Sequence, residues 1–439
     1  MSFFGPISPP VLNEASAPAI RRALHRVRVV SNFALIQAFV QLIGFLSGIL
    51  LIRYLDQREY AYFTIANTMQ GTLNTLADIG ISIGLVSIGG RVWFDQHRFG
   101  QLINTALGLR RKLGLLAAAG VIPILAWLMV RNGASIVYMT LLAIAVLVGL
   151  VVQLSIGVLS VVPRLRSDVA RIQMIDLTGA VARFLALLAL MFFFLNGAVA
   201  LAVGSATLLL QFWMLRTYVA GAIDLTAPEN SDDRTAMVGF IRSQAANAVF
   251  FCFQGQITVF LISVFGRQVS SIAEVGALSR LAMIFAVLSN LLANVFAPAF
   301  ARSQQKRQLQ WRYLAIVGAV TGFSLAIVAA AALFPHQFLF VLGNKYAHLE
   351  RELLLMVGGA VVTALASTLW SLNSAKAWIA GSWLYIPITL AAQLALIPFT
   401  DFSSVSGVLI FNLVSAIPSL LLNILLSYRG FRGLQPASK

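Results

Sequence analysis

The feature that most constrains this chain is its succession of apolar stretches, about twelve of them, each long enough to cross a bilayer and each bounded by short polar or basic segments. A hydrocarbon core about 30 Å thick takes about 20 helical residues to cross. In that medium backbone groups must be satisfied within the spanning element, which leaves α-helices for runs of this length. The predicted spans are 30–52, 60–90, 113–130, 135–162, 172–195, 198–219, 239–265, 272–301, 313–334, 353–375, 377–398 and 403–427. Composition agrees: 59% of the 439 residues are hydrophobic and 10% charged, against roughly a quarter charged in soluble domains. The expected fold class is all-α, a polytopic transmembrane helical bundle of about 12 helices in two six-helix lobes around a central cavity.

The domain boundaries follow. Residues 1–29 are Pro-rich and polar, then basic with Arg21, Arg22, Arg26 and Arg28. They precede a span too long for a signal h-region, so they are expected to form a cytoplasmic segment with a short amphipathic helix on the membrane surface. Two lobes over 30–220 and 239–428 flank a linker at 221–238 holding Asp224, Glu229, Asp232 and Asp233, and a cytoplasmic tail occupies 429–439. Glu59-Tyr60-Ala61 opens the second span and Glu274-Val275-Gly276 the eighth, an echo expected of parallel repeats.

The net charge of +16 and the pI near 10.9 do not form one patch or arm, so no nucleic-acid partner is expected. With the N-terminus inside, about 22 of the 31 Lys and Arg fall in inside segments, among them Arg98, Arg110, Arg111 and Lys112, and only 6 outside: Arg53, Arg58, Arg131, Arg267, Lys345 and Arg351. That bias places both termini in the cytoplasm and supports an even number of spans. The single cysteine, Cys252, lies in an apolar run, so no intrachain disulfide can form and packing is its expected role.

Polar residues at membrane depth carry the functional information, because each is costly unless it meets protein or water. In the second span Asn67, Gln70, Asn74 and Asp78 fall at i, i+3, i+7 and i+11, one stripe of a helix. A water-filled pathway and interhelical hydrogen bonding both account for it. Gln37, Gln41, Gly44 and Gly48 in the first span, and Thr363, Ser367, Ser371 and Ser374 in the tenth, read as packing faces.

Three arginines are more pointed: Arg183, Arg242 and Arg280, in the fifth, seventh and eighth spans. A central arginine costs about 2.5–3.5 kcal/mol on insertion scales, so each calls for a partner or an aqueous lumen. Asp176, two turns before Arg183 on the same face, is one candidate partner; Arg280 shares a broad face with Asn290 and Asn294; Arg242 lies near a helix end, where it can snorkel. Intramembrane acids are few, Asp78 and Asp176 with Glu274 at a mouth, so the balance favours an anionic ligand. Guanidinium forks suit phosphate.

The segment RYLDQREYAYFTIANTMQGTLNTLADIGISIGLVSIGGR, from Arg53 to Arg91, resembles the second-span region of bacterial O-antigen and exopolysaccharide flippases, within the multidrug, oligosaccharidyl-lipid and polysaccharide exporter superfamily. The resemblance lies in Arg53, Leu55, Glu59, Tyr60, Asp78 and Gly80, with Ala61 where that family usually has Gly; Glu274 to Arg302 resembles the matching region of the second half. It implies a multi-pass protein of the bacterial cytoplasmic membrane moving an undecaprenyl-diphosphate-linked oligosaccharide between leaflets by alternating access, with other polysaccharide-assembly membrane proteins as possible partners. Arg183 and Arg280 would then meet the diphosphate or acidic sugars, the stripe of Asn67, Gln70 and Asn74 would offer hydrogen bonds to sugar hydroxyls, Arg242, Asn290 and Asn294 would line the same lumen, and Asp78 and Asp176 are the candidates for ion coupling. A multidrug exporter of the same superfamily is the alternative reading, a membrane glycan polymerase or ligase a more distant one. His336, His348, Glu350 and Glu352 cluster near the ninth-to-tenth connection in a spacing that fits no metal motif, no P-loop is present, and neither cofactor nor metal nor catalytic residue is expected.

Overall fold

The computed structural model describes residues 19–166, 168–283, 285, 300, 305–376, 378–379 and 381–433. It is a helical membrane bundle, and among the described residues ten helices are long and apolar enough to cross a membrane, or eleven counting one bent pair. In chain order they are α1 (Ala19–Tyr54), α2 (Gln57–Ala77), α3 (Ile81–Val92), α4 (Gln96–Arg131), α5 (Ile136–Leu159), a short α6 (Val161–Leu165), α7 (Val169–Met191), α8 (Gly197–Ala220) and α9 (Ser231–Phe265). The second half holds α10 (Ser270–Leu281), α11 (Lys306–Leu333), a short α12 (Pro335–Leu342), α13 (Glu350–Ala375), α14 (Tyr385–Leu396) and α15 (Val405–Arg432). The predicted eighth span opens as α10, and most of its remainder, with Asn290 and Asn294, lies outside the described residues.

The polar residues between apolar runs set the helix starts. Asp56, Asp95, Ser135, Asn196, Asn230 and Ser404 each accept a hydrogen bond from a backbone N–H in the first turn of the helix that follows. Such caps satisfy donors that a helix leaves orphaned at its N-terminus.

Five sequence boundaries are corrected. The predicted surface helix before residue 30 is the beginning of the first span's own helix. The second span is two helices, bent by 44° between Ala77 and Ile81. There Gly80 takes a φ of +70°, and a Cβ on it would lie 2.8 Å from the Phe240 carbonyl, so the break serves both the turn and the close approach of α9. The third span begins at Gln96, which puts Arg98, Arg110, Arg111 and Lys112 on a helix and not in a loop. The acidic linker is shorter than expected, because Asn230 caps α9 and draws Asp232 and Asp233 into its first turn; the last helix runs to Arg432, into the expected tail.

The remaining linker is tied to the first half. Arg98 binds Asp233 through two hydrogen bonds of 2.5 and 2.7 Å, and Asn104 donates to the carbonyls of Leu225 and Ala227 at 3.0 and 2.7 Å. The Thr226 hydroxyl and then His97, whose Nδ1 lies 2.8 Å away, hold the exposed Asp224 carboxyl down to about 2.

The apolar cores show how the halves meet. At the end opposite the linker, the far end, one continuous core joins Leu51, Leu55 and Leu128 of the first half to Leu342, Leu353 and Val408 of the second. At the linker end there are two cores: Leu102, Val158 and Leu215 of the first half together with Met237 at the start of α9, and Phe300, Leu309 and Leu372 in the second half. The helices that open alike, α2 and α10, cross in contact, where Gly276 allows Thr64 Oγ1 within 2.5 Å of the site a Cβ would take.

Candidate functional site

Hydrogen bonds across the far end reinforce that shared core. Arg53 donates from Nε to the Val341 carbonyl at 3.0 Å and from Nη2 to the Phe340 carbonyl at 2.5 Å, with its guanidinium 5.2 Å from the Phe340 ring centroid. Lys345 returns the contact, donating to the carbonyls of Leu55 at 2.5 Å and Arg53 at 3.2 Å. Nearby, Asn132 and Arg131 donate to Ser263 and Val264 on α9 at 3.2 and 2.6 Å. The charge-assisted bonds of Arg53, Lys345 and Arg131 are each worth about 1.5–3 kcal/mol when shielded and less when exposed, as most of them are here. Replacing both Arg53 and Lys345 by Ala should therefore move the population of far-end-closed molecules by about tenfold toward opening, read as spin-label distances across that end; unchanged distances would remove them as a latch.

Below this closure lie the two arginines singled out in the sequence. Arg280, on α10, extends along α1 over Gly48, where a Cβ would stand 3.3 Å from its Cδ, and reaches the buried hydroxyl of Tyr60. Its Nη1 also lies 3.8 Å from Met283 Sδ. Arg183, on α7, is close enough to Arg280 for the two charges to repel, and its buried Nε has no hydrogen-bond partner. The expected pair with Asp176 is not formed: no ion pair joins them among the described residues, and the charge that Asp176 feels is Arg164. Two guanidiniums thus lie within each other's field, and among the described residues neither forms an ion pair with a carboxylate. Arg242 does not join them; it is exposed on α9, about three turns from the linker end.

The polar stripe of the second span turns largely into the first half. The Gln70 amide lies against Gly149 of α5, where a Cβ would be 2.4 Å away, and Asn74 Oδ1 is buried without a partner, whereas Asn67 is exposed. Asp78, a candidate for ion coupling, is occupied: Ser82 donates to it at 2.8 Å, and Arg110 Nη2 lies 3.2 Å from its carboxylate. Arg110 is 6% exposed, and its Nε and Nη1 have no partner. Counted by sequence as an inside-loop charge, it sits on α4 against Gly157; the signal for it was the helical continuation of the apolar run back through Gly108 and Leu109.

The resemblance motif has mainly architectural work in this chain. Glu59 accepts hydrogen bonds from the Tyr138 hydroxyl and the Gly197 amide, joining α2 to α5 and α8. Arg53 and Leu55 belong to the far-end closure, and Tyr60 meets Arg280.

Two cavities stand out among the described residues, and neither Arg183 nor Arg280 lines either. One of about 490 Å³ lies within the second half, between α9, α13, α14 and α15, and was not expected from the sequence. The other, about 360 Å³, is an almost wholly apolar groove between α2, α4 and α9 that includes Cys252. The sequence signal for the first was available in α15: Asn412, Ser415, Ser419 and Asn423 repeat the spacing of Asn67, Gln70, Asn74 and Asp78.

Comparison with known structures locates this arrangement. The chain superposes on a multidrug resistance MATE family transporter of the MOP superfamily in an inward-facing conformation, with a TM-score of 0.62 over 92% of this chain and 100% of the other, at 14% identity. It matches the lipid II flippase MurJ in an inward closed conformation, with a TM-score of 0.64 over 91% and 89% at 8% identity. The fold is shared with MATE transporters and MurJ. A MOP superfamily transporter from Pyrococcus furiosus, described as having a binding pocket of reverse polarity and a different function, matches with a TM-score of 0.59 over 92% and 95% at 16% identity. No protein-family model and no curated protein sequence matches.

The histidines near the ninth-to-tenth connection do not converge. His336 pairs with Glu350 at 3.3 Å and His348 with Glu274 at 3.4 Å, both histidines exposed, while Glu352 accepts from the Ser406 hydroxyl. Among the described residues no group of three or more His, Cys, Asp or Glu side chains could hold a metal ion.

Proposed function

We propose that this protein is a flippase that moves a lipid-diphosphate-linked oligosaccharide across the cytoplasmic membrane by alternating access, for polysaccharide biosynthesis. The observation that carries the reading is the Arg183 and Arg280 pair, two guanidiniums that repel each other and form no ion pair among the described residues. Burying like charges together is unfavourable, and a dianionic bridging ligand is what would relieve it. A diphosphate offers oxygens to both forks at once.

The parted cores at the linker end and the joined core at the far end are one limb of an alternating-access cycle. With the linker end in the cytoplasm, as the Lys and Arg bias expects, this limb faces inward and the Arg53 and Lys345 bonds hold the outer side shut. The lipid tail remains in the bilayer, and the apolar groove between α4 and α9 offers it a lateral rest. Asp176, which forms no ion pair among the described residues, is the better candidate for coupling to a gradient than Asp78, which Arg110 engages.

A second reading, a multidrug-type exporter, is favoured by the aromatic cavity of the second half and the apolar groove, both of which suit amphiphilic drugs. Reconstitution separates the two. Proteoliposomes loaded with a fluorescent polyprenyl-diphosphate disaccharide should bring the label to the outer leaflet, read by dithionite quenching, while a cationic drug such as ethidium should accumulate no faster than in empty vesicles. The opposite pattern would replace the flippase reading with the exporter.

A further inference from the structure

The cavity of the second half has a chemistry unlike that of the arginine pair. Among the described residues no charged side chain lines it. Its walls combine the rings of Trp370, Trp383, Tyr385 and Phe251 with the amides of Asn247, Gln254, Asn412 and Asn423 and several serine hydroxyls. Two of its polar atoms are orphans: Ser415 Oγ, on a residue 6% exposed, and Asn423 Oδ1, on a residue 4% exposed, are buried with no hydrogen-bond partner. A buried group left unsatisfied keeps its desolvation cost without return, so two in one cavity point to a ligand that supplies hydrogen bonds.

The surrounding groups are set in advance. Gln254 and Gln393 exchange amide hydrogen bonds of 3.0 and 2.8 Å, which fixes the Gln254 amide and leaves it one further donor and one further acceptor. Asn423 donates to the Ser419 carbonyl at 2.9 Å, which holds its side-chain oxygen in place. The Tyr385 ring stacks on Phe251 with centroids 5.2 Å apart and planes at 17°, making a rigid aromatic wall. Trp383, 72% exposed, stands at the α13 to α14 connection, on the linker end where the two halves part.

Neutral amides and hydroxyls interleaved with aromatic faces match a polyhydroxylated ring. Each sugar hydroxyl donates and accepts, and the C–H face of a pyranose carries slight positive charge that lies favourably on the negative face of an indole. A diphosphate would find no cation here, and an organic cation no acid. The volume, about 490 Å³, falls within the roughly 300–1,000 Å³ of small-molecule sites. We propose that this cavity is the glycan subsite of the transporter and binds one or two neutral sugar rings of the substrate. The proposal rests on the lipid-linked-glycan reading above and adds a division of labour: charge is recognised between the halves at Arg183 and Arg280, sugar within the second half.

The test is binding to the purified full-length chain in nanodiscs. The probes are polyprenyl diphosphate without sugar and the same lipid bearing glucose, galactose, N-acetylglucosamine or rhamnose. At least one glycosylated lipid should bind tenfold or more tighter than the bare lipid. Trp383→Leu, at an exposed side chain whose loss leaves the core intact, and Asn423→Leu should each erase that gain without changing the affinity for the bare lipid. Equal affinity for all five probes, or a gain that survives both variants, would overturn the subsite while leaving the diphosphate reading standing, provided bare-lipid binding still falls in Arg280→Gln. Failure of every diphosphate lipid to bind would overturn both readings.

Discussion

Replacing Arg183 and Arg280 together by Gln should reduce flipping of a diphosphate-linked lipid by at least about 100-fold and, in the same protein, raise the thermal stability of the empty transporter. Charge-assisted hydrogen bonds to an ionised group contribute about 1.5–3 kcal/mol each, so losing two costs roughly 3–6 kcal/mol of recognition, and about 2.8 kcal/mol already corresponds to 100-fold. The gain in stability has the opposite origin. The two like charges repel in a medium of reduced dielectric constant, and the unpartnered Arg183 Nε adds its own desolvation cost. A merely structural arginine would behave otherwise, because its removal would destabilise. Melting temperatures and flipping rates of the two single variants and the double variant decide the matter: a double variant that melts lower and flips normally would take both residues out of the site.

Gly48 supplies the packing side of the same site. Its missing Cβ lets the Arg280 stem lie across α1, so the charge is held between halves and not drawn back along α10. The polar groups nearest to the pair come from α2, through Tyr60, and not from the Asn67 to Asp78 stripe, which belongs mostly to the interior of the first half. Gln70 and Asp78, which one-dimensional reading placed in one lumen with the arginines, are therefore engaged within the first half, against Gly149 and Arg110.

The spans were legible because the bilayer imposes a length on every apolar run, and the caps because Asp, Asn and Ser at run boundaries have a local physical reason to be there. What connects distant helices was less so. Asp176 and Arg183 share a face, yet seven residues along one helix is about 10 Å of rise, and same-face spacing does not reveal which neighbouring helix each side chain meets. Arg110 was counted as a loop charge because the positive-inside rule weighs basic residues near a span without saying whether the helix carries them inside. The break at Gly80 appeared in the sequence as an acidic-x-Gly motif, but its cause is the Phe240 backbone, more than 150 positions away. The second-half cavity went unread because Ser and Thr can satisfy themselves within their own helix, as Thr363 does by donating to the Gly359 carbonyl.

Arg110 carries the other large effect. Asp78→Asn should destabilise the protein by about 3 kcal/mol or more, whereas Asp78→Asn combined with Arg110→Met should recover most of that loss. The two partners are unequally buried. Arg110 is almost wholly buried, with Nε and Nη1 unpartnered, so the Asp78 carboxylate 3.2 Å away is the one countercharge it has among the described ion pairs. Breaking a buried pair on one side leaves an uncompensated charge at a cost of about 3–5 kcal/mol, while replacing both partners with uncharged groups of similar volume is often neutral. Asp78 is the more accessible partner, and Ser82 can solvate it when Arg110 is gone, so Arg110→Met alone should cost less than Asp78→Asn alone. Because the pair braces the bend between α2 and α3 against α4 and α5, its loss should also loosen the packing of Phe240 on Gly80. A double-mutant cycle on melting free energies, with hydrogen exchange at Ile81–Val92 as the local readout, measures this. Additive single effects, or equal costs for the two single variants, would show that Asp78 and Arg110 are near neighbours without being a structural pair, and would return Asp78 to the list of free titrating groups.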